Sequence, residues 1–148
     1  MSDEAAVQVR HSSSEWVAKQ ARLYEESGGT KGLTVQGIPC LLVDYVGRRS
    51  GEWHRTVLMY GRDGDDYLLV ASNGGSEKHP LWFLSIEANP KVRLRVETER
   101  FEADARVLSA EEKARVWPEL KKVWTGWDDY QKKTERDIPV IALRRTEG

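Results

Sequence analysis

PCLLVDYVGRRSGEWHRTVLMY, residues 39–60, reads as two strands joined by a cationic turn. Residues 39–46 and 55–60 are rich in β-branched, aliphatic and aromatic side chains, the composition of strands. Between them, residues 47–55 carry Arg48, Arg49, His54 and Arg55 together with Gly47 and Gly51. Glycine permits φ > 0, which lets successive N–H groups converge on an anion while arginine forks bind its oxygens. Such a turn suits a phosphate. Taken alone, the spacing slightly favours a solvated turn whose arginines serve solubility, and segments further along the chain shift the balance.

Downstream, GRDGDD at 61–66 turns the chain into YLLVAS at 67–72, a hairpin. The loop NGGSEKH at 73–79 leads through Pro80 to a short helix over 81–88, ended by Asn89-Pro90. Glycines, a lysine and a helix N-terminus meet there. The first N–H groups of a helix lack partners and its dipole is positive at that end, so an anion site and an ordinary hydrophilic loop fit equally well. KVRLRVE at 91–97 and RFEADARVL at 100–108 alternate with period two. They predict half-buried antiparallel strands with Val92, Leu94 and Val96, then Phe101, Ala103, Ala105 and Val107, on the inner face. The S-x-x-E spacing of a capping box occurs at Ser12 to Glu15 and at Ser109 to Glu112. It predicts helices over 13–26 and from 110 onward, the second kinked or restarted by Pro118. A helix over 127–136 and a strand over 138–145 complete the chain. About six strands, mostly in hairpins and without βαβ alternation, with three or four helices, give an α+β, mostly β class. The architecture expected is a closed or nearly closed antiparallel barrel.

With 148 residues the chain supports one domain with a real core. A net charge of −1 disfavours a nucleic-acid partner and makes the basic turn a local feature. The lone cysteine, Cys40, lies in an apolar strand, which suits a reducing cytosol. MSDEAAVQVR at the N-terminus has no apolar h-region, and no run approaches the ~18 apolar residues of a membrane span. The 13–26 helix carries a ragged apolar face of Trp16, Val17, Ala21, Leu23 and Tyr24. Packing against the barrel or over a pocket is the favoured reading of that face, and loose membrane-surface contact the sharper one. Signatures of dinucleotide, P-loop, zinc and nucleophile-elbow sites are missing from the sequence, and Ser50 reads as a turn hydroxyl. Metal catalysis and hydrolysis are thereby disfavoured.

GRRSGEWHR at 47–55, ASNGG at 71–75 with KHPLW at 78–82, EANPKV at 87–92 and YQKKTERDIPVIAL at 130–143 follow one another in a telling order and spacing. Together they resemble the deazaflavin-dependent nitroreductase family of actinobacteria over about residues 36–145. The resemblance implies a split β-barrel, FMN-binding-like, with flanking helices over 36–148, preceded by an N-terminal arm and amphipathic helix over 1–35. It also implies coenzyme F420, an 8-hydroxy-5-deazaflavin with a phosphodiester and an oligoglutamate tail, which explains a cationic groove in a near-neutral protein. By resemblance Arg48, Arg49, Ser50 and Arg55 meet the phosphate and tail, with Lys78 close by. Thr56, Val57, Leu58, Met59, Ala71, Ser72, Asn73, Leu81, Trp82 and Ser85 border the ring. Trp124, Trp127 and Tyr130 stand where the family places aromatics over the substrate, with Trp16 closing the pocket. Without the resemblance, that three-residue spacing reads as a core helix face.

This chain departs from the family pattern where tryptophans replace tyrosines at 124 and 127, Asn73 replaces a lysine, Phe83 a tyrosine, and the turn before Arg55 is one residue longer. An indole offers only an N–H, so Tyr130 is the phenol left as proton donor. The activity implied is hydride transfer from reduced F420 to a planar electron-poor acceptor: a quinone, an enone or unsaturated lactone, or a nitroaromatic. Two alternatives stay open, an F420-binding carrier without turnover and an FMN-binding split-barrel oxidoreductase. The expected partner is a small-molecule acceptor, the chain a monomer or homodimer, and its location the cytoplasm or the inner membrane face.

Overall fold

A computed structural model describes residues 9–146, so the first residues of the N-terminal arm lie outside the described residues. In chain order the elements are β1 (Arg10–His11), α1 (Glu15–Glu26), β2 (Thr34–Val35), β3 (Ile38–Val46), β4 (Trp53–Met59), β5 (Gly61–Asp63) and β6 (Asp66–Val70). There follow a 3-10 turn (Asn73–Gly75), α2 (Leu81–Ala88), β7 (Lys91–Val96), β8 (Glu99–Val107), α3 (Ala110–Val123), α4 (Gly126–Lys133) and β9 (Val140–Arg145). The six strands expected from the pattern are β3, β4, β6, β7, β8 and β9; β1, β2 and β5 are additions of two or three residues.

The sheet runs β1-β4-β3-β7-β8-β9-β6-β5, with β2 paired to β3, and every pair is antiparallel except β1 with β4. Among the described residues no ladder joins the two ends of that path, so the sheet is not closed, as in a split barrel.

Alternation along the strands divides the core in three. Leu41, Val43, Leu69, Val92, Leu94, Val96, Ile141 and Leu143 point inward, where Phe83 and Ile86 of α2 join them. Leu68, Val70, Val140 and Ala142 point outward beneath α3 and α4, against Val116, Leu120 and Trp127. Cys40, Leu42 and Val57 point outward beneath α1, against Ala21 and Tyr24. A sheet covered on both faces explains why LLV and VIAL are unbroken apolar runs. Val107, expected on the inner face, is instead 44% exposed at the end of β8.

The two capping boxes come out differently. Ser109 Oγ accepts from the Glu112 amide while the Glu112 carboxylate accepts from the Ser109 amide, a complete box that starts α3. The first box does not form: α1 begins at Glu15 after Ser14, which makes no side-chain cap, and Ser12 Oγ accepts from the Ser14 amide. Pro118 lies inside α3, which runs through it as one helix. α1 is held by Tyr24, whose buried hydroxyl donates to Cys40 O (3.2 Å) and accepts from the Glu97 amide (2.6 Å). Ala18, Ala21 and Tyr24 are its buried residues, whereas Trp16 and Leu23 face solvent at 61% and 45% exposure. No described helix is long and apolar enough to cross a membrane.

Candidate coenzyme and acceptor site

The cationic turn joins β3 to β4. The register pairs Val46 with Trp53, Tyr45 with His54 and Asp44 with Arg55, so His54 and Arg55 project to opposite faces of the sheet. Arg55 lies on the α1 face. Its Nε and Nη2 donate to Asp44 Oδ1 (2.7 Å) and Oδ2 (2.8 Å), and its Nη1 lies 3.0 Å from Glu25 Oε2. Glu25 also takes Arg95 and, at 2.6 Å, Arg100. Burial alone would lower the Arg55 pKa; hydrogen bonding and charge from Asp44, then the charge of Glu25, outweigh it and raise it. This corrects the expectation for Arg55: its fork is filled by carboxylates and it ties α1 to the sheet, so it is not a free phosphate donor. The residue that does share the inner side is His54, which the sequence reading counted in the cationic turn but gave no place among the coenzyme contacts. Its ring stacks on Tyr45 (5.4 Å between centroids, 13° between planes), and its Nε2 lies 3.1 Å from Ser50 Oγ. The signal was available in the alternation of the strand.

Arg48 and Arg49 are exposed and have no ion-pair partner among the described residues, and the same holds for Lys78. The Arg48 amide donates to the buried Ser85 hydroxyl (3.2 Å), which joins the turn to α2. At the start of α2, Pro80 O accepts from the Phe83 and Leu84 amides, whereas the Leu81 and Trp82 amides belong to the first turn and have no helical acceptor. The turn that carries the two arginines is thus tied to the middle of α2, and Lys78 precedes the open first turn of the same helix by three residues. Of the remaining ring-bordering candidates, Thr56 and Leu58 lie on the inner face of β4. Val57 does not: it is core beneath α1, and Met59 packs against both outer clusters. Ala71 is fully buried, so only its backbone could meet a ligand, while Ser72 and Asn73 lie toward the surface.

The loop from Ala71 to His79 is braced from outside. Asn73 Nδ2 donates to Lys78 O (3.0 Å) within the loop. Gly75, at φ +80°, packs on α4: a Cβ there would lie 3.1 Å from Tyr130 O and 3.2 Å from Lys133 Cβ. This contact brings the ASNGG segment and Tyr130 together. Trp124 meets Trp127 and Tyr130 edge to face, at 5.7 and 5.6 Å. A Cβ on Gly126 would come within 2.2 Å of the Trp124 ring, so glycine is required for the indole to lie where it does. Trp127 corrects the expectation of an aromatic wall of two tryptophans. At 4% exposure, among Val116, Leu120 and Leu68, it is core, and it supports Trp124 from below. Trp124 and Tyr130 are partly exposed, and the Tyr130 hydroxyl makes no hydrogen bond among the described residues. Trp16 is on α1, which packs against β4, and is not part of this aromatic group.

A coenzyme with a phosphodiester, several carboxylates and a flat ring fits these residues: unpaired cations, first-turn amides and a braced loop next to partly exposed aromatics. Comparison with known proteins agrees. The family model described as F420H2-dependent quinone reductase matches residues 16–145. An F420H2-dependent quinone reductase of Mycobacterium tuberculosis (strain H37Rv) is 35% identical over 127 residues, covering 83% of this chain and 85% of that protein. A putative F420H2-dependent quinone reductase of the same organism is 35% identical over 107 residues, covering 72% and 90%. Among solved structures, an F420H2-dependent reductase, FDR-A, is 33% identical with a TM-score of 0.67 over 72% of this chain and 94% of its own. A structure described as a domain-swapped dimer is 33% identical with a TM-score of 0.69 over 90% and 100%. The chain belongs to the F420H2-dependent quinone reductase family, enzymes of split-barrel fold whose cofactor is coenzyme F420.

Proposed function

We propose that this enzyme reduces a planar quinone with F420H2, holding the coenzyme's phosphodiester and tail at Arg48, Arg49, Ser50 and Lys78. The observation that carries the assignment is that these three cations have no carboxylate partner among the described residues, while the Arg48 amide ties their turn to Ser85 of α2 and Lys78 stands three residues before that helix. Anionic oxygens there gain charge-assisted bonds from arginine forks and from the Leu81 and Trp82 amides. The ring side is formed by Thr56, Leu58, Trp82 and the backbone of Ala71, Ser72 and Asn73. When bound, the reduced coenzyme supplies a hydride, so a quinone needs one further proton to become a hydroquinone. Tyr130, whose hydroxyl has no partner among the described residues, holds that proton and delivers it to the developing oxyanion. Trp124, set by Gly126 and backed by Trp127, offers a flat face for the acceptor. Trp16 and Leu23, exposed on α1, are the apolar side chains that a large acceptor or its lipid surroundings would meet next.

Transfer of label from stereospecifically deuterated F420H2 to menadione tests this reading. Label loss from the coenzyme with stoichiometric hydroquinone, and slow oxidation by air, is the expected result. Binding without turnover of quinones, enones or nitroaromatics would make the protein a carrier, and fast air oxidation with FMN bound in preference would make it a flavoprotein.

A further inference from the structure

Arg136, between α4 and β9, spends its guanidinium on one loop. Its Nε donates to Ser76 O (2.7 Å), its Nη2 to Ser72 O (2.7 Å) and Ala71 O (3.1 Å), and its Nη1 meets His79 Nδ1 at 3.1 Å. Arginine has no acceptor, so His79 Nδ1 is the acceptor and the ring proton sits on Nε2. A single planar fork thus pins both ends of the 71–79 segment. No carboxylate pairs with Arg136 among the described residues, and three carbonyl oxygens and the His79 imidazole hold it. Burial lowers its pKa, in keeping with a cation held without a counter-charge.

We infer that Arg136 is a positioning residue for the deazaflavin ring: it fixes the backbone of Ala71 to His79 in the shape that receives the coenzyme and fixes the tautomer of His79 beside α2. The inference rests on the proposed ring site, because its consequence for catalysis passes through the Ala71–Asn73 backbone. Lysine cannot substitute, since one ammonium cannot span three carbonyls and an imidazole in a plane.

The test compares wild type with Arg136→Gln and Arg136→Lys, in two arms. Without coenzyme, hydrogen exchange at the Gly75, Ser76 and Lys78 amides, which are bonded within the loop, should speed up by about tenfold or more in both variants while β3 and β8 keep their protection. Kd for oxidised F420 should rise about tenfold, and in turnover with F420H2 kcat should fall while the acceptor KM stays level; millimolar guanidinium should restore binding to Arg136→Gln, and ammonium should not. Unchanged loop exchange, or unchanged coenzyme affinity in a variant whose loop has loosened, would overturn the inference. If wild type fails to bind F420, the functional reading falls while the exchange arm still judges the clamp. Should Arg136→Gln not fold, Arg136→Lys is judged by the same criteria.

Discussion

Two arginine clusters, one continuous in the sequence and one assembled by the fold, differ in what faces them. Beneath α1, Arg55, Arg95 and Arg100 converge on Glu25, with Asp44 completing the Arg55 fork, and these two carboxylates are no more than 20% exposed. At the β3–β4 turn, Arg48 and Arg49, like Lys78 before α2, stand in water with no acid to meet them among the described residues. The first cluster holds a helix on a sheet. The second leaves its charge for an anion from outside. Cationic residues become legible as ligand-binding only when the carboxylates that could neutralise them have been located, and that is a three-dimensional fact.

The largest effect should come from breaking the inner cluster. Asp44→Ala leaves the half-buried Arg55 fork without its bidentate partner, and should cost about 2 to 4 kcal/mol of stability with coenzyme affinity little changed, as read by urea unfolding and F420 titration. Arg48→Ala with Arg49→Ala should do the reverse. Stability should hold within about 0.5 kcal/mol, as for other exposed substitutions, while coenzyme binding weakens by about 1 to 3 kcal/mol per lost charge-assisted bond and loses most of its salt dependence. A double variant that unfolds, or an Asp44 variant that loses only coenzyme, would erase the distinction.

The aromatic segment repeats the contrast on a smaller scale, with Trp127 inward and Trp124 and Tyr130 outward. Gly126→Ala must push the Trp124 indole aside, so acceptor KM should rise several-fold at constant coenzyme affinity. Tyr130→Phe should lower kcat by about tenfold or less if water can replace the phenol. Equal effects of Gly126→Ala on both ligands would mean that Trp124 serves the fold alone.

The smallest effect belongs to an exposed pair that serves only local structure. The Ser109 amide, then Arg106, holds the Glu112 carboxyl down at about 2, against 4.5 in the unfolded chain. A carboxyl depressed by folding stabilises above its unfolded pKa and loses that contribution as pH falls toward its folded one. Urea midpoints of wild type should therefore drop between pH 4.5 and 2 more steeply than those of Glu112→Gln, with no change at pH 7 in coenzyme binding.

Much of the fold was legible because its strands obey period two and its third helix carries a complete capping box. The β3–β4 hairpin, the inner face of β7, that of β8 as far as Ala105, and the order of the motifs that identify the family were all open to reading. Ser12-x-x-Glu15 failed because a box needs the chain to enter the helix at the serine, and here Ser12 serves the Ser14 amide instead. Arg55 was misplaced because its neighbours in sequence are the ligand-facing residues, whereas its neighbours in space are Asp44, one strand away, and Glu25, thirty positions earlier in the chain. Trp127 could not be told from Trp124 by spacing, since only the packing of α4 on α3 decides which indole is covered. Arg136 was visible as part of a motif, but its role lies in bonds to a loop some sixty residues away in sequence.

The central claim is that the unpaired cations at the turn and at Lys78 hold the anionic tail of F420. It is met most directly by titrating oxidised F420 and FMN into wild type and into the Arg48→Ala, Arg49→Ala double variant, each at low and high salt. The account predicts that wild type prefers F420, that salt weakens this binding, and that the double variant binds F420 weakly at both salt levels. Equal affinity for the two cofactors, or F420 binding indifferent to both salt and the two arginines, would contradict it.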